Sequence, residues 1–86
     1  MTYQFNFRER QLAEMYIGLM LEGGYHSIQV VDYDVFKQYR SNGVRQLRKV
    51  DRFNGNRILV SGYDELGNRG VLTTSGHFYS YDEELV

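Results

Sequence analysis

Two histidines and a run of arginines are the residues of this chain whose types suit chemistry or binding. The histidines, His26 and His77, stand far apart in the sequence. A nuclease in which His77 acts with Arg57 or Arg69 is conceivable, but no paired acid and base and no serine in a known nucleophile motif accompanies them. The chain has no cysteine, and its histidines and acids lack the spacing of metal ligands. We therefore expect a protein that is not an enzyme, with no catalytic residue, metal or other cofactor.

The positive charge is concentrated in one segment. Residues 45–60 read RQLRKVDRFNGNRILV and contain five cations against one acid. Over residues 37–57 seven cations oppose Asp51, a net charge of +6, whereas residues 1–36 sum to −3 and residues 58–86 to −4. Such blocks favour an oriented, electrostatically steered partner. We predict the following partner-binding residues: Lys37, Arg40, Arg45, Arg48, Lys49, Arg52, Arg57 and Tyr63.

Three interpretations of the basic segment remain open. The cations could solvate one face of the protein and pair with the acids at 64–65 and 82–84. They could hold phosphates while bases stack on neighbouring aromatic rings, namely Phe53, Tyr63 and Phe78. They could also dock an acidic protein surface or a nucleoprotein complex, since arginine and tyrosine are the residue types that most often anchor interfaces.

Our leading hypothesis is a small non-enzymatic binding protein that docks such a partner through residues 37–57. Compact, cysteine-free chains of this size suit an inhibitor or modulator encoded by a phage or mobile element. Nucleic acid is the alternative partner, and a homodimer or head-to-tail self-association is compatible with the alternating charge blocks.

Length and composition limit the architecture. A chain of 86 residues, 42% hydrophobic and 24% charged, is expected to form one globular domain spanning residues 1–86. No apolar run approaches the roughly 18 residues of a membrane span. The N-terminus lacks the form of a signal peptide. We therefore expect no membrane partner and a cytoplasmic location, in the host cytoplasm if a phage encodes the chain.

The elements that must position the basic segment begin with an amphipathic helix at about residues 7–22. Asn6 and Glu9 have the spacing of a capping box, and Gly23-Gly24 supplies a left-handed stop. The apolar stripe consists of Leu12, Met15, Tyr16, Leu19 and Met20. A short strand at 28–31 and a second helix at about 33–41, capped by Asp32 or Asp34, follow.

The second half predicts an antiparallel meander over about residues 57–81, which makes the fold class α+β. Asn54-Gly55 is a strong hairpin signal. Loops at 65–67 and 75–76 then place Val60 opposite Leu72 and Leu72 opposite Tyr79. The face expected to pack on the first helix contains Ile58, Val60, Leu72, Tyr79 and Tyr81.

Segment 44–53 has two interpretations. As a strand it pairs across Asn54-Gly55, and the strength of that turn signal favours this form. As a helix it lines up Val44, Leu47, Val50 and Phe53 on one face. With a helix here, residues 7–74 resemble the winged-helix arrangement of DNA-binding proteins in the order of their elements. That resemblance implies that Arg45, Arg48, Lys49 and Arg52 read the major groove and that residues 64–68 form the wing tip.

Overall fold

The computed structural model describes residues 3–80 and confirms the α+β class. The chain forms α1 (Phe7–Glu22), β1 (His26–Val30), α2 (Tyr33–Tyr39) with a 3-10 helix (Arg40–Asn42), β2 (Arg45–Gln46), β3 (Arg52–Phe53), β4 (Asn56–Tyr63), β5 (Arg69–Thr73) and β6 (Phe78–Ser80). The predictions that concern Tyr81 and the acids at 82–84 lie outside the described residues.

One sheet organises these elements. Its strand order is β2-β1-β4-β5-β6, and β3 pairs with the first residues of β4. Strand β2 runs parallel to β1, and the other pairings are antiparallel. The two α-helices pack on the same face of this sheet, because Ala13 and Ile17 of α1 and Val35 of α2 share one core with Val60 and Leu72.

The ends of α1 match their predicted chemistry. The Asn6 side chain accepts a hydrogen bond from the Glu9 amide at 2.8 Å, and the Glu9 carboxylate accepts one from the Asn6 amide at 3.0 Å. At the other end Gly24 has φ +80°, and the Tyr25 amide donates to the Met20 carbonyl at 2.9 Å. The capping box and the left-handed stop therefore set the length of α1.

The apolar stripe of α1 was predicted only in part. Met15 and Leu19 are 51% and 54% exposed, whereas Ala13 and Ile17 are completely buried. The small Ala13 side chain lets the helix approach the sheet closely, so the contact face is rotated from the stripe of largest residues. Met20 belongs both to the predicted stripe and to the contact face, and it is buried.

Asp32, rather than Asp34, caps α2. One of its carboxylate oxygens accepts from the Val35 amide at 3.0 Å and the other from the Phe5 amide at 2.8 Å. Asp32 is 3% exposed. The same carboxylate thus begins α2 and ties the chain ahead of α1 to it.

The last hairpin has a different register from the predicted one. Leu72 lies opposite Phe78, and Val71 lies opposite Tyr79. A two-residue loop at 75–76 was wrong: Gly76, at φ +88°, closes a three-residue loop, and its amide donates to the Thr73 carbonyl at 3.0 Å. A type I′ turn needs positive φ at both central residues, and Ser75 does not have it. This shift of one residue puts Phe78 on the helix-packed face and Tyr79 on the opposite face.

The helix-packed face therefore keeps the predicted Val60 and Leu72 but contains Phe78 in place of the predicted Tyr79. The Phe78 ring stacks on Tyr16 of α1, with centroids 5.2 Å apart. A bulge between Ile58 and Val60 interrupts the β4–β5 ladder and leaves Ile58 opposite Thr73. Ile58 is buried outside the main core cluster.

The loop at 65–67 follows the prediction and yields a test. The Asp64 carboxylate accepts from the amides of Asn68 at 2.8 Å and Leu66 at 2.9 Å. The Asn68 hydrogen bond is the main cause that lowers the pKa of Asp64 below its ordinary value of 3.8. Because the folded-state pKa is the lower one, this contribution to stability is present above the unfolded pKa and is lost as the pH falls through the folded pKa.

We expect the Asp64 carboxyl carbon to titrate below 3.8 in a pH series of NMR spectra. The Leu66 and Asn68 amide protons should shift with the same midpoint, since both donate to this carboxylate. A midpoint at or above the ordinary value would show that these hydrogen bonds are not formed in solution.

Segment 44–53 is extended, so the helical interpretation is wrong. Arg45 pairs with Gln29 of β1, and the Leu47 amide donates to the Val30 carbonyl at 2.8 Å. The predicted hairpin turn follows, with φ +53° at Asn54 and +79° at Gly55. The third helix of a winged-helix protein therefore has no counterpart in this segment.

Candidate partner-binding surface

Six of the predicted cations are exposed and lie on consecutive elements from α2 to β3. We name this surface the basic edge, and it consists of Lys37, Arg40, Arg45, Arg48, Lys49 and Arg52. Lys37 stands on α2, Arg40 on the 3-10 helix and the others on β2, β3 and the segment between them. Helix α2 contacts both β1 and β2, whereas Arg52 of β3 lies opposite Arg57 of β4.

Local backbone chemistry holds the basic edge in place. Gly43 adopts φ +85° and ends the 3-10 helix. Val44, which follows it, is buried in the main core. Since Val44 points inward, Arg45 on the adjacent strand position points outward and is exposed. One buried valine thus fixes where the chain enters the edge strand.

The cations of the basic edge are not neutralised within residues 3–80. The single ion pair of that region joins Arg10 and Glu14 of α1, at 3.5 Å. Arg52 donates to the Gly55 carbonyl at 3.1 Å, and the Lys37 ammonium lies 5.3 Å from the Tyr33 ring centroid. Neither contact cancels charge. The described acids at 64–65 form no ion pair with this surface.

Arg57 lies opposite Arg52 on the neighbouring strand but, unlike the six cations of the basic edge, it is not exposed. Its guanidinium lies 4.1 Å from the centroid of the Tyr3 ring, and it is half-buried. Its Nε is buried without a hydrogen-bond partner in the described part of the chain. The Tyr3 hydroxyl in turn donates to the buried Glu9 carboxylate at 2.8 and 2.9 Å. Burial, followed by this contact with Glu9, raises the pKa of Tyr3 above its ordinary value.

The remaining predicted residue, Tyr63, lies near the opposite end of β4 from Arg57. The two are separated by about 20 Å along the strand. Tyr63 is 37% exposed and stacks beside His26, with ring centroids 6.3 Å apart. The structure thus divides the predicted set into the basic edge, a half-buried Arg57 that contacts Tyr3, and Tyr63 on the sheet face that lacks helices.

The two histidines have different neighbours among the described residues. His26 contacts Ser27 and Tyr63, and His77 contacts Tyr79. Residues 3–80 contain no group of three histidines and acids close enough to hold a metal ion. An apolar groove of about 210 Å³ beside α1 is lined by Tyr16, Leu19, Met20, Tyr25 and Phe78. It offers no carboxylate, amine or imidazole.

Sequence reasoning missed the second aromatic group near the basic segment. Phe53, Tyr63 and Phe78 were predicted as aromatic neighbours of this segment, but Phe53 contacts Tyr79 at a centroid distance of 4.9 Å, and Phe78 stacks on Tyr16 on the other face. The correct register of the last hairpin would have assigned Tyr79 to the face without helices. The sequence signal for that register was Gly76, at the end of the loop.

Within residues 3–80, neither α-helix combines the length and apolarity that crossing a bilayer requires. No protein-family model, curated protein or solved structure matches this chain.

Proposed function

We propose that the chain is a non-enzymatic binding protein that docks an acidic protein surface through the basic edge. The observation that carries the proposal is the absence of any carboxylate within 4.0 Å of these six exposed cations in the described residues. Unpaired guanidinium groups are available for bidentate contacts with carboxylates, which are both strong and directional.

The shape of the edge supports a protein partner over duplex DNA. An α-helix or a two-stranded ribbon is what enters the major groove. Segment 44–53 instead contains two strands of two residues each, β2 and β3, which are paired with β1 and β4. The net charge of the chain is −1, far from the strongly basic balance of a general DNA binder. A small domain with one charged edge favours one form of this function, namely an inhibitor or modulator of the phage or mobile-element type.

The test is affinity capture from a lysate of the source cells with two matched charge variants. The edge variant carries Arg40→Gln and Lys49→Gln, and the control carries Arg8→Gln and Arg10→Gln on α1. Both remove two cations. We expect wild type and control to retain one defined protein and the edge variant to bind it at least about tenfold more weakly, since the carboxylates that faced the lost cations stay unpaired.

Thermal unfolding of each variant checks that the fold is intact. A salt series with generic duplex DNA runs in parallel, because phosphate contacts release counterions and give steep salt dependence. Equal capture by the edge variant and the control would contradict the proposal. Tight, steeply salt-dependent binding of duplex DNA would favour the alternative of a nucleic-acid-binding regulator.

A further inference from the structure

The outer side of α1 carries a stripe of residues that the fold leaves largely uncovered. We name it the outer stripe, and it consists of Arg8, Leu12, Met15, Leu19 and Glu22. Its spacing of 4, 3, 4 and 3 residues is that of a heptad seam, so these side chains lie along one side of the helix. Met15 and Leu19 are both more than half exposed, and so are the charged residues at the ends classed as exposed. Two large apolar side chains therefore face solvent between an arginine and a glutamate.

The charges at the ends of the outer stripe are unfavourable for α1 itself. Arg8 stands in the first turn, where the helix dipole favours anions, and Glu22 stands in the last turn, which contains no basic residue. Glu65 adds a second carboxylate at this end, since a Cβ on Gly24 would collide with it. Neither Arg8 nor Glu22 has an ion pair among residues 3–80. That part of the chain thus provides no counter-charge for either end of the stripe.

The outer stripe is symmetric about its centre, with opposite charges at its two ends. Leu12 and Leu19 lie three and four residues from Met15, and Arg8 and Glu22 each lie seven residues from it. An antiparallel pair of α1 helices centred near Met15 therefore brings Arg8 of each copy to the level of Glu22 of the other. A parallel pair would instead place like charges side by side at both ends.

Gly18 lies beside the outer stripe, one helical turn from both Met15 and Glu22. Glycine inside a helix is less favourable than alanine. A Cβ at this position would meet no atom of the chain within 4 Å, so packing within the chain does not require glycine here. The missing side chain leaves a notch through which the backbone of a second helix can approach closely.

We propose that two copies of this chain associate through the outer stripe as an antiparallel, two-fold symmetric pair of α1 helices. The charges select a second copy, because the stripe is complementary to itself only in this arrangement. Helix α1 is about 24 Å long, and a contact of that length is at the lower end of specific interfaces. We therefore expect a dissociation constant of about 10–100 µM. Unfolding measured well below this concentration reports the monomer alone.

Sedimentation equilibrium of the full chain over a series of concentrations measures the association. Met15→Glu brings two carboxylates together at the centre of the pair, and we expect it to weaken association at least about 30-fold. The matched control is Val50→Glu, because Val50 is 47% exposed and lies between β2 and β3, away from α1. The control should associate as wild type does, and thermal unfolding should show both variants folded.

Exchange of the two end charges tests the antiparallel arrangement. Arg8→Glu and Glu22→Arg each turn two attractive contacts into repulsive ones, because the symmetry repeats every substitution. Each variant alone should associate about 5- to 30-fold more weakly than wild type. Neither should destabilise the monomer, since each improves the match between charge and helix dipole. The double variant, and an equimolar mixture of the two single variants, should recover the wild-type association, because opposite charges meet again at both ends.

A wild type that stays monomeric at about 1 mM, tenfold above the weakest expected constant, would overturn the proposal. Equal association of Met15→Glu and Val50→Glu would do the same, and so would single charge variants that do not recover on mixing. Monomeric wild type together with loss of a captured protein in Met15→Glu would assign the stripe to a different partner. The inference does not rest on the proposed docking function, because the basic edge contains no residue of α1. The capture control with Arg8→Gln and Arg10→Gln should associate more weakly and still retain the protein partner, so the two proposals can fail independently.

Discussion

Replacing Ile17 with alanine is expected to lower the free energy of unfolding by about 2–5 kcal/mol, because Ile17 is completely buried between α1 and the sheet. The side chain lies in the core that Val60 and Leu72 share with the helix. Shortening it removes apolar contacts and leaves a cavity that the surrounding strands cannot fill. Urea unfolding followed by circular dichroism measures the change.

Met15→Ala is the matched control on the same helix. Met15 is 51% exposed, and alanine has the higher helix propensity, so we expect a change within about 0.5 kcal/mol. Both residues are large and apolar, and they stand two positions apart. Equal losses, or a larger loss for Met15→Ala, would mean that the helix packs on the sheet through the stripe of its largest residues instead of through Ala13 and Ile17.

Hydrophobic periodicity alone does not identify the buried stripe of α1. A helix of 16 residues presents several overlapping stripes, and the stripe of largest residues contains Met15 and Leu19. The buried stripe contains Ala13, which small size alone does not mark as a core residue. The sheet selects it, because close approach to the sheet requires a small side chain between two larger ones. That selection depends on strands from the other half of the chain.

Local chemistry, by contrast, was predictable in detail. The capping box at Asn6 and Glu9, the stop at Gly24 and the turn at Asn54-Gly55 all formed as expected. Each involves atoms within a few residues of one another. The loop at 74–76 differs by one residue from its prediction, since the serine and threonine hydroxyls around Gly76 stabilise a three-residue loop: Ser75 and Thr73 hydroxyls lie 2.7 Å apart. A shift of one residue exchanged Phe78 and Tyr79 between the faces.

The candidate surfaces divide in the same way. The exposure of the six cations follows from their types and from the buried Val44 beside them. The position of Arg57 does not, because its ring partner Tyr3 comes from the start of the chain. The aromatic contacts on the sheet face without helices were also beyond the sequence, since their rings come from four different strands and from a loop. Charge density can be counted along the sequence, whereas the groups that contact each charged side chain depend on the fold.

The basic edge includes Lys37 of α2, and Asp32 ties the start of this helix to the segment ahead of α1. Asp32→Ala removes the acceptor of the Val35 amide at the start of α2 and of the Phe5 amide ahead of α1. We expect a loss of about 2–4 kcal/mol, combining the N-cap with one further buried donor left unpaired. The Val35 and Phe5 amides should both lose protection in hydrogen exchange, because one carboxylate serves both.

Asp34→Ala supplies the control, since Asp34 is an exposed acid in the first turn of the same helix. Its removal should cost no more than about 1 kcal/mol, the value of one charge near a helix N-terminus. Asp32→Asn should fall between the two, because an amide retains one acceptor oxygen but cannot accept from both backbone donors. If Asp32→Ala released the Val35 amide alone, the Phe5 contact would not hold the N-terminal segment in solution. The position of α2, and with it the basic edge, would then depend on Val35 and the core instead.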